Sequence, residues 1–247
     1  MALNIDKENL KVVDGVLTKF VDNSCDEMVI PEGVIELAKC AITSVSARVL
    51  YIPSTVEVIR KCAILCAHHI TTMYIENPQI YLEVGSIESL SGLRDLYIGG
   101  QRIDSVVTQK NGEVNYVYLE KYIGNDKSYR IDSDINAIGS KAFLNCKALE
   151  SVEFSESVKY IDMWAFSGCS LLKEIRLTDS IRTISGYVFE NCAAVRELTI
   201  PRSVYFIGYG AFRGWTRNQT IRVPSQFKKL RFLQKWRKGC KATIIYY

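Results

Sequence analysis

Residues 149–171 read LESVEFSESVKYIDMWAFSGCSL and residues 172–194 read LKEIRLTDSIRTISGYVFENCAA, and the second stretch repeats the first in chemical kind, position by position. The register extends well beyond these two. Phe143, Phe166, Phe189 and Phe212 lie on one 23-residue step, as do Val152, Ile175, Leu198 and Ile221, then Phe154, Leu177, Ile200 and Val223, and Ile161, Ile184, Ile207 and Leu230. A step of this length, held over several copies, predicts a solenoid in which each turn buries its apolar face only against its neighbours. Within one copy, Leu149 to Phe154 alternates apolar and polar residues as a short strand does. Ser155-Glu156-Ser157 then turns the chain, Val158 and Ile161 point inward again, and Ala165-Phe166 is expected to close a helical turn released at Gly168 and Cys169. The predicted fold is therefore a repeat solenoid of short parallel strands with helical turns.

The first half carries the same register more loosely. Ile52, Ile75 and Ile98 continue the strand row, with Leu50, Met73 and Leu96 two residues before them, and Ile30 precedes the series. Nine strands are expected, ending at Ile30, Ile52, Ile75, Ile98, Ile131, Phe154, Leu177, Ile200 and Val223. Between Ile98 and Ile131 the interval lengthens to 33, and Asn111-Gly112 inside it signals a hairpin turn. The stretch from Val16 to Asn23 also resembles that from Tyr118 to Asn125. The expected organisation is one solenoid over 1–247: a sub-array at 1–102, an insertion hairpin at 103–120, a second sub-array at 121–226 and a cap at 227–247.

Composition suits a well-packed protein: 48% of residues are apolar, 23% are charged and only five are proline, which argues against disorder. No signal peptide or stretch of eighteen apolar residues is legible. Of the eight cysteines, Cys146, Cys169 and Cys192 share one repeat position, a small buried slot, and no C-x-x-C spacing occurs. Reduced, structural thiols are expected, which favours a cytoplasmic location for the sequence as it stands and the cell surface if an export signal precedes it.

The residues Val195-Arg196-Glu197-Leu198-Thr199-Ile200-Pro201-Arg202-Ser203-Val204, followed by Ile207-Gly208 and Ala211-Phe212, resemble the BspA-like class of bacterial leucine-rich repeats. The resemblance covers roughly residues 12–247 and is looser at 28–100, where Ile42 and Ile64 replace the usual Phe. It implies a curved leucine-rich-repeat solenoid and, as in many members, adhesion to host or matrix proteins at a cell surface.

A search for chemistry returns little. The phosphate loop, the zinc-protease helix, the nucleophile elbow and the dinucleotide fingerprint are all missing, so no enzyme activity, catalytic residue or cofactor is expected. Cys62, Cys66, His68 and His69 form a cluster that suggests zinc. However, Cys62 and Cys66 align with Trp164 and Gly168 of a later copy, and the histidines with Ser170 and Leu171, so ordinary repeat positions account for all four and no metal is expected.

The outward rows are more informative. Tyr51, Tyr74 and Tyr97 fall between inward positions of adjacent turns, so their rings should stack as a ladder at the strand spacing of about 4.8 Å. In the second half the same row reads Arg130, Glu153, Arg176, Thr199 and Arg222. Cross-strand stacking and alternating charge are enough to stabilise an exposed parallel sheet. A concave Tyr-rich face with Arg nearby is also the composition of binding hot spots. From Gly214 to Tyr247 there are nine Lys or Arg and no Asp or Glu, and Phe227, Leu230, Leu233 and Trp236 recur at helical spacing, followed by a last strand at 243–246. A basic amphipathic helix capping the array is expected. The expected function is a non-enzymatic protein- or peptide-binding module whose partner contacts Tyr51, Tyr74, Tyr97, Arg130, Glu153, Arg176 and Arg222. The alternatives are a carbohydrate surface on the tyrosines or polyanion binding at the basic end, with nucleic acid disfavoured because no recognition motif accompanies those charges.

Overall fold

A computed structural model describes residues 3–21, 25–43, 45–87, 90, 92–110, 116–228 and 235–247. They form two compact units, each built of stacked β-solenoid turns, Met1–Asn115 with Glu120–Gly124, and Tyr116–Leu119 with Asn125–Tyr247.

All nine expected strands are present, each ending within one residue of its expected position. In the first unit, Glu27–Val29, Val49–Ile52, Thr72–Ile75 and Asp95–Ile98 pair in parallel, and Gln101–Ile103 folds back antiparallel on the last. Met28, Leu50, Met73 and Leu96 stand opposite one another in this ladder and are all but fully buried. In the second unit, Ser128–Arg130, Ser151–Glu153 and Glu174–Arg176 form one parallel sheet. Glu197–Thr199, Thr220–Val223 and the terminal Thr243–Tyr246 form another.

One strand per turn is too few. Among the described residues, seven of the nine turns carry a second strand of two residues: Glu36–Leu37, Val58–Ile59 and Tyr81–Leu82 in the first unit, and Ala137–Ile138, Tyr160–Ile161, Thr183–Ile184 and Phe206–Ile207 in the second. These strands contain Ile161, Ile184 and Ile207, the row that the sequence left as inward-pointing residues after a turn. Two-residue strands are below the length at which alternation can be read, which is why the sequence shows their apolar positions but not their pairing. Val16–Phe20 and Tyr116–Tyr122, the two similar stretches, each open this second row, Leu17 against Leu37 and Leu119 against Ile138. The turn expected at Asn111-Gly112 lies outside the described residues, with Ser105–Lys110 and Tyr116–Tyr122 on either side of it.

The polar turn after five of the first-row strands is fixed by a side chain that donates to the preceding turn. Thr55 Oγ1 donates to the Val34 carbonyl (2.8 Å), Asn77 Nδ2 to Val56 (2.8 Å), Ser157 Oγ to Ile135 (2.6 Å), Ser180 Oγ to Val158 (2.7 Å) and Gln226 Nε2 to Val204 (2.7 Å). This explains why a short polar residue recurs there: it satisfies a carbonyl that no strand reaches.

The expected helical turn at Ala165-Phe166 is not a helix. Trp164 and Gly168 both hold positive φ (58° and 76°), so the chain is redirected every four residues, and the local bonds, Ala165 N–H to Asp162 and Ser167 N–H to Trp164, span three residues. The remaining amides turn to the next copy instead, as when Phe166 N–H donates to the Val188 carbonyl. One left-handed row reads Lys141, Trp164, Tyr187, Gly210 and the other Asn145, Gly168, Asn191, Gly214. In the second row the residues alternate in size for a steric reason: a Cβ on Gly168 or Gly214 would meet the side-chain amide of Asn145 or Asn191.

Phe143, Phe166, Phe189 and Phe212 form a continuous buried stack, with centroids 4.7, 5.7 and 6.0 Å apart. The thiols of Cys169 and Cys192 donate to the carbonyls of Phe143 and Phe166, and Trp215 Nε1 takes the same role toward Phe189 at the end of the array. Trp236 then closes the stack edge-on against Phe212. This end is closed by an aromatic side chain, and the expected basic amphipathic helix is not found among the described residues. Ser225–Phe227 is a single 3-10 turn, residues 235–237 are another, and Leu230 and Leu233 lie outside the described residues. Trp236 is nevertheless buried and the last strand occupies 243–246 as expected.

Candidate functional site

The tyrosine ladder is built as the register requires. Tyr51, Tyr74 and Tyr97 stand opposite one another in the parallel sheet of the first unit, with centroids 4.9 and 4.8 Å apart and ring planes within 7° and 14°. Val29 precedes them in the row, 60% exposed, and Arg102 follows, opposite Tyr97 on the antiparallel strand. Arg102 is held by the carboxylates of Asp95 and Asp104. All three rings are half-buried. Partial burial in the stack, with Glu27 and then Tyr74 beside it, raises the Tyr51 phenol above its ordinary value. Such packing leaves a ligand the ring edges and hydroxyls, because the faces of Tyr74 are covered on both sides.

The charged row belongs to the second unit and comes in two groups. Arg130, Glu153 and Arg176 stand in register in one three-stranded sheet, while Thr199 and Arg222 stand in register in the next. No strand pairing joins Glu174–Arg176 to Glu197–Thr199 among the described residues. Ile175 and Leu177, inward positions on the first side of this break, are only half-buried. Arg176 pairs with Glu174 at 3.2 Å, and Arg222 with Glu197. Ser151 Oγ donates to Ser128 Oγ at 2.8 Å, two residues before Glu153 and Arg130 on the same strands.

Other groups with chemical potential serve the scaffold. Glu120 is buried, and its carboxylate accepts the backbone N–H groups of Gly85 and Ile87 at 3.0 Å each. A groove of about 410 Å³ is lined by Glu36, Lys39, Arg60, Lys61, Cys62 and Glu83. Its carboxylates are engaged, Glu36 with Arg60 at 2.7 Å and Glu83 with the Lys61 N–H at 2.9 Å. Cys62 and Cys66 hold positive φ just as Trp164 and Gly168 do, which places both at ordinary repeat positions. Burial pushes the Cys192 thiol up to about 12 and the Cys169 thiol higher still, with Cys192 and Cys146 beside it adding to the effect. Neither is a nucleophile at neutral pH.

The sequence reading missed a second aromatic row. Trp164 and Tyr187, in left-handed positions, stack at 5.4 Å with planes 4° apart, Lys141 lies 5.8 Å from the Trp164 ring, and Tyr209 tilts against Tyr187 at 5.5 Å. The signal was present in the 23-residue step from Lys141 to Gly210, but the reading used that step only to explain Cys62.

The model of the BspA type leucine rich repeat region matches residues 18–109 and 116–233, in six copies. The chain belongs to this family. Leucine-rich repeats of this type suggest a scaffold for protein interaction or adhesion, and such repeats are typically non-enzymatic. Among solved structures, a leucine rich cell surface protein from Faecalibacterium prausnitzii shares 21% identity at a TM-score of 0.69, over 93% of this chain and 63% of that one. The chain thus spans less than two thirds of that relative. The pneumococcal vaccine antigen PcpA shares 16% identity over 90% of this chain and 82% of its own, at a TM-score of 0.44. A leucine rich repeat protein of T. pallidum shares 21% over 53% and 78%, at 0.38. No curated protein matches the chain. Among the described residues no helix is long and apolar enough to cross a membrane.

Proposed function

We propose that this leucine-rich repeat protein is a non-enzymatic module that binds a protein or peptide through the sheet face bearing Tyr51, Tyr74 and Tyr97. The exposed row Arg130, Glu153, Arg176 and Arg222 serves as the corresponding face of the second unit. The observation that supports this reading is the ladder itself. Three tyrosines fixed by mutual stacking present polar edges on a rigid sheet, so a partner gains aromatic contact area with little further loss of side-chain entropy. The same geometry disfavours the carbohydrate alternative, because a sugar ring packs on an open aromatic face and the faces of Tyr74 are covered by its neighbours. We propose also that the two arrays act in series as one solenoid, with 103–120 as the insertion between them. Peptides selected from a display library against the whole protein provide the test. On binding they should protect Tyr74 from iodination, and protection confined to tyrosines outside the ladder, such as Tyr205, would refute the assignment.

A further inference from the structure

The second unit carries a different exposed aromatic surface, on the face formed by the two-residue strands. Tyr160, Thr183 and Phe206 stand in register there, and Phe206 is 51% exposed. Beside them the Met163 methyl lies 3.7 Å from where a Cβ on Gly186 would be, and the backbone carbonyl oxygen of the exposed Tyr209 lies 3.1 Å from the same point. Next comes the stacked pair Trp164 and Tyr187, held in left-handed backbone where the same row uses glycine at 210. Lys141 holds the same left-handed conformation one turn earlier, so the rings stand where the repeat redirects the chain.

The charge around this surface is one-sided toward the cap. After Glu197 the chain has eleven Lys or Arg and no Asp or Glu. With a total of +4, the residues before Arg202 therefore sum to 4 − 11 = −7. The cap's Lys235 carbonyl accepts the Gly210 N–H at 3.0 Å, and Lys235 and Lys238 are exposed there. Arg182, whose carbonyl accepts the Tyr205 N–H, makes no ion pair among the described residues. Asp162, at the far end of the patch, is already engaged.

From this juxtaposition we infer a second binding surface, centred on Phe206, Tyr209 and Tyr187 and bordered by Arg182, Lys235 and Lys238, that takes an acidic peptide segment carrying apolar side chains. The charges would steer and orient such a segment while the aromatic rings receive its apolar residues. This surface belongs to the second unit and its two-residue strands, whereas the tyrosine ladder belongs to the first unit, and it stands or falls separately from that ladder.

The test is fluorescence anisotropy on the full chain with three labelled synthetic peptides of equal length: one rich in Glu and Leu, one of Glu without apolar residues, and one rich in Lys and Leu. The Glu-Leu peptide should bind at least about tenfold tighter than either of the others, and the double variant Phe206→Asp, Tyr209→Asp should lose about tenfold or more of that affinity. Tyr74→Ala should leave it unchanged. Because both substituted side chains are largely exposed, the double variant should keep the circular dichroism and melting temperature of the parent. Should it unfold, Arg182→Glu with Lys238→Glu asks the same question and should again cost about tenfold. Equal binding of the Glu-only peptide would show a purely electrostatic surface. That result, equal binding of the Lys-Leu peptide, or indifference to folded variants would overturn the inference.

Discussion

Replacing Gly168 by Ala tests how the solenoid is packed, because two separate costs can be distinguished. Gly168 has φ of 76°, a conformation in which an L side chain is strained by about 1–2 kcal/mol. The added Cβ would also lie 3.1 Å from Asn145 Cγ and closer still to its Oδ1, so the amide of the preceding turn must move. Overpacking of this kind costs about 1–3 kcal/mol, giving about 2–5 kcal/mol for Gly168→Ala in all. In an Asn145→Gly background the steric part vanishes and only the backbone part remains. A double-mutant cycle by urea denaturation should therefore return a coupling of about 1–3 kcal/mol, with Gly168→Ala less costly when Asn145 is absent. Additivity within about 0.5 kcal/mol would refute the reasoning, since it would mean that the two residues do not occupy one shared space.

Other consequences follow from the core. Phe166→Ala removes a fully buried ring that stacks on both Phe143 and Phe189, and it should cost about 3–5 kcal/mol in denaturant titration, whereas a loss under about 1 kcal/mol would contradict the stack. Trp215→Phe leaves the Phe189 carbonyl without its indole donor and should destabilise the C-terminal end by about 1–3 kcal/mol, read as increased amide exchange in the last two turns. The thiol of Cys192 titrates near 9 when unfolded and near 12 in the fold, so the native state holds the proton more tightly. Stability from this group is full below about pH 9 and falls by about 1.4 kcal/mol per pH unit from there toward 12. Cys169, shifted in the same direction, adds to the slope, and Cys169→Ala with Cys192→Ala should flatten the alkaline melting curve.

The sequence made the first-row strands legible because their inward positions are apolar and most of their outward ones polar, a contrast that Val29 and Val49 interrupt without hiding the register. It made the tyrosine ladder legible for the same reason: parallel register turns a 23-residue spacing directly into ring stacking. The two-residue strands were not readable as strands, because Tyr160-Ile161 is too short for a period to show. The helical turn at Ala165-Phe166 was misread because the left-handed residues beside it include Trp164, a residue type that composition gives no reason to place there. The expected cap helix followed helical spacing across Phe227 to Trp236, yet the described backbone on either side makes three-residue turns, while Trp236 is buried by its edge contact with Phe212. The break between the strands at 174–176 and 197–199 has no counterpart in the sequence, since Ile175 and Leu198 hold the register on either side of it.

The claim that the sheet face carries function is tested most directly by comparing two surface variants against the tightest peptide selected on the whole protein with an excess of the Glu-Leu peptide present to occupy the second surface. Tyr74→Ala should weaken its binding by about 1–2 kcal/mol or more without a comparable loss of stability, and the parent interaction should survive moderate salt. Lys235→Glu with Arg237→Glu should leave that affinity nearly intact. Binding that is indifferent to Tyr74→Ala, abolished by the paired charge reversal and steeply weakened by salt would place the function at the basic end and contradict the account.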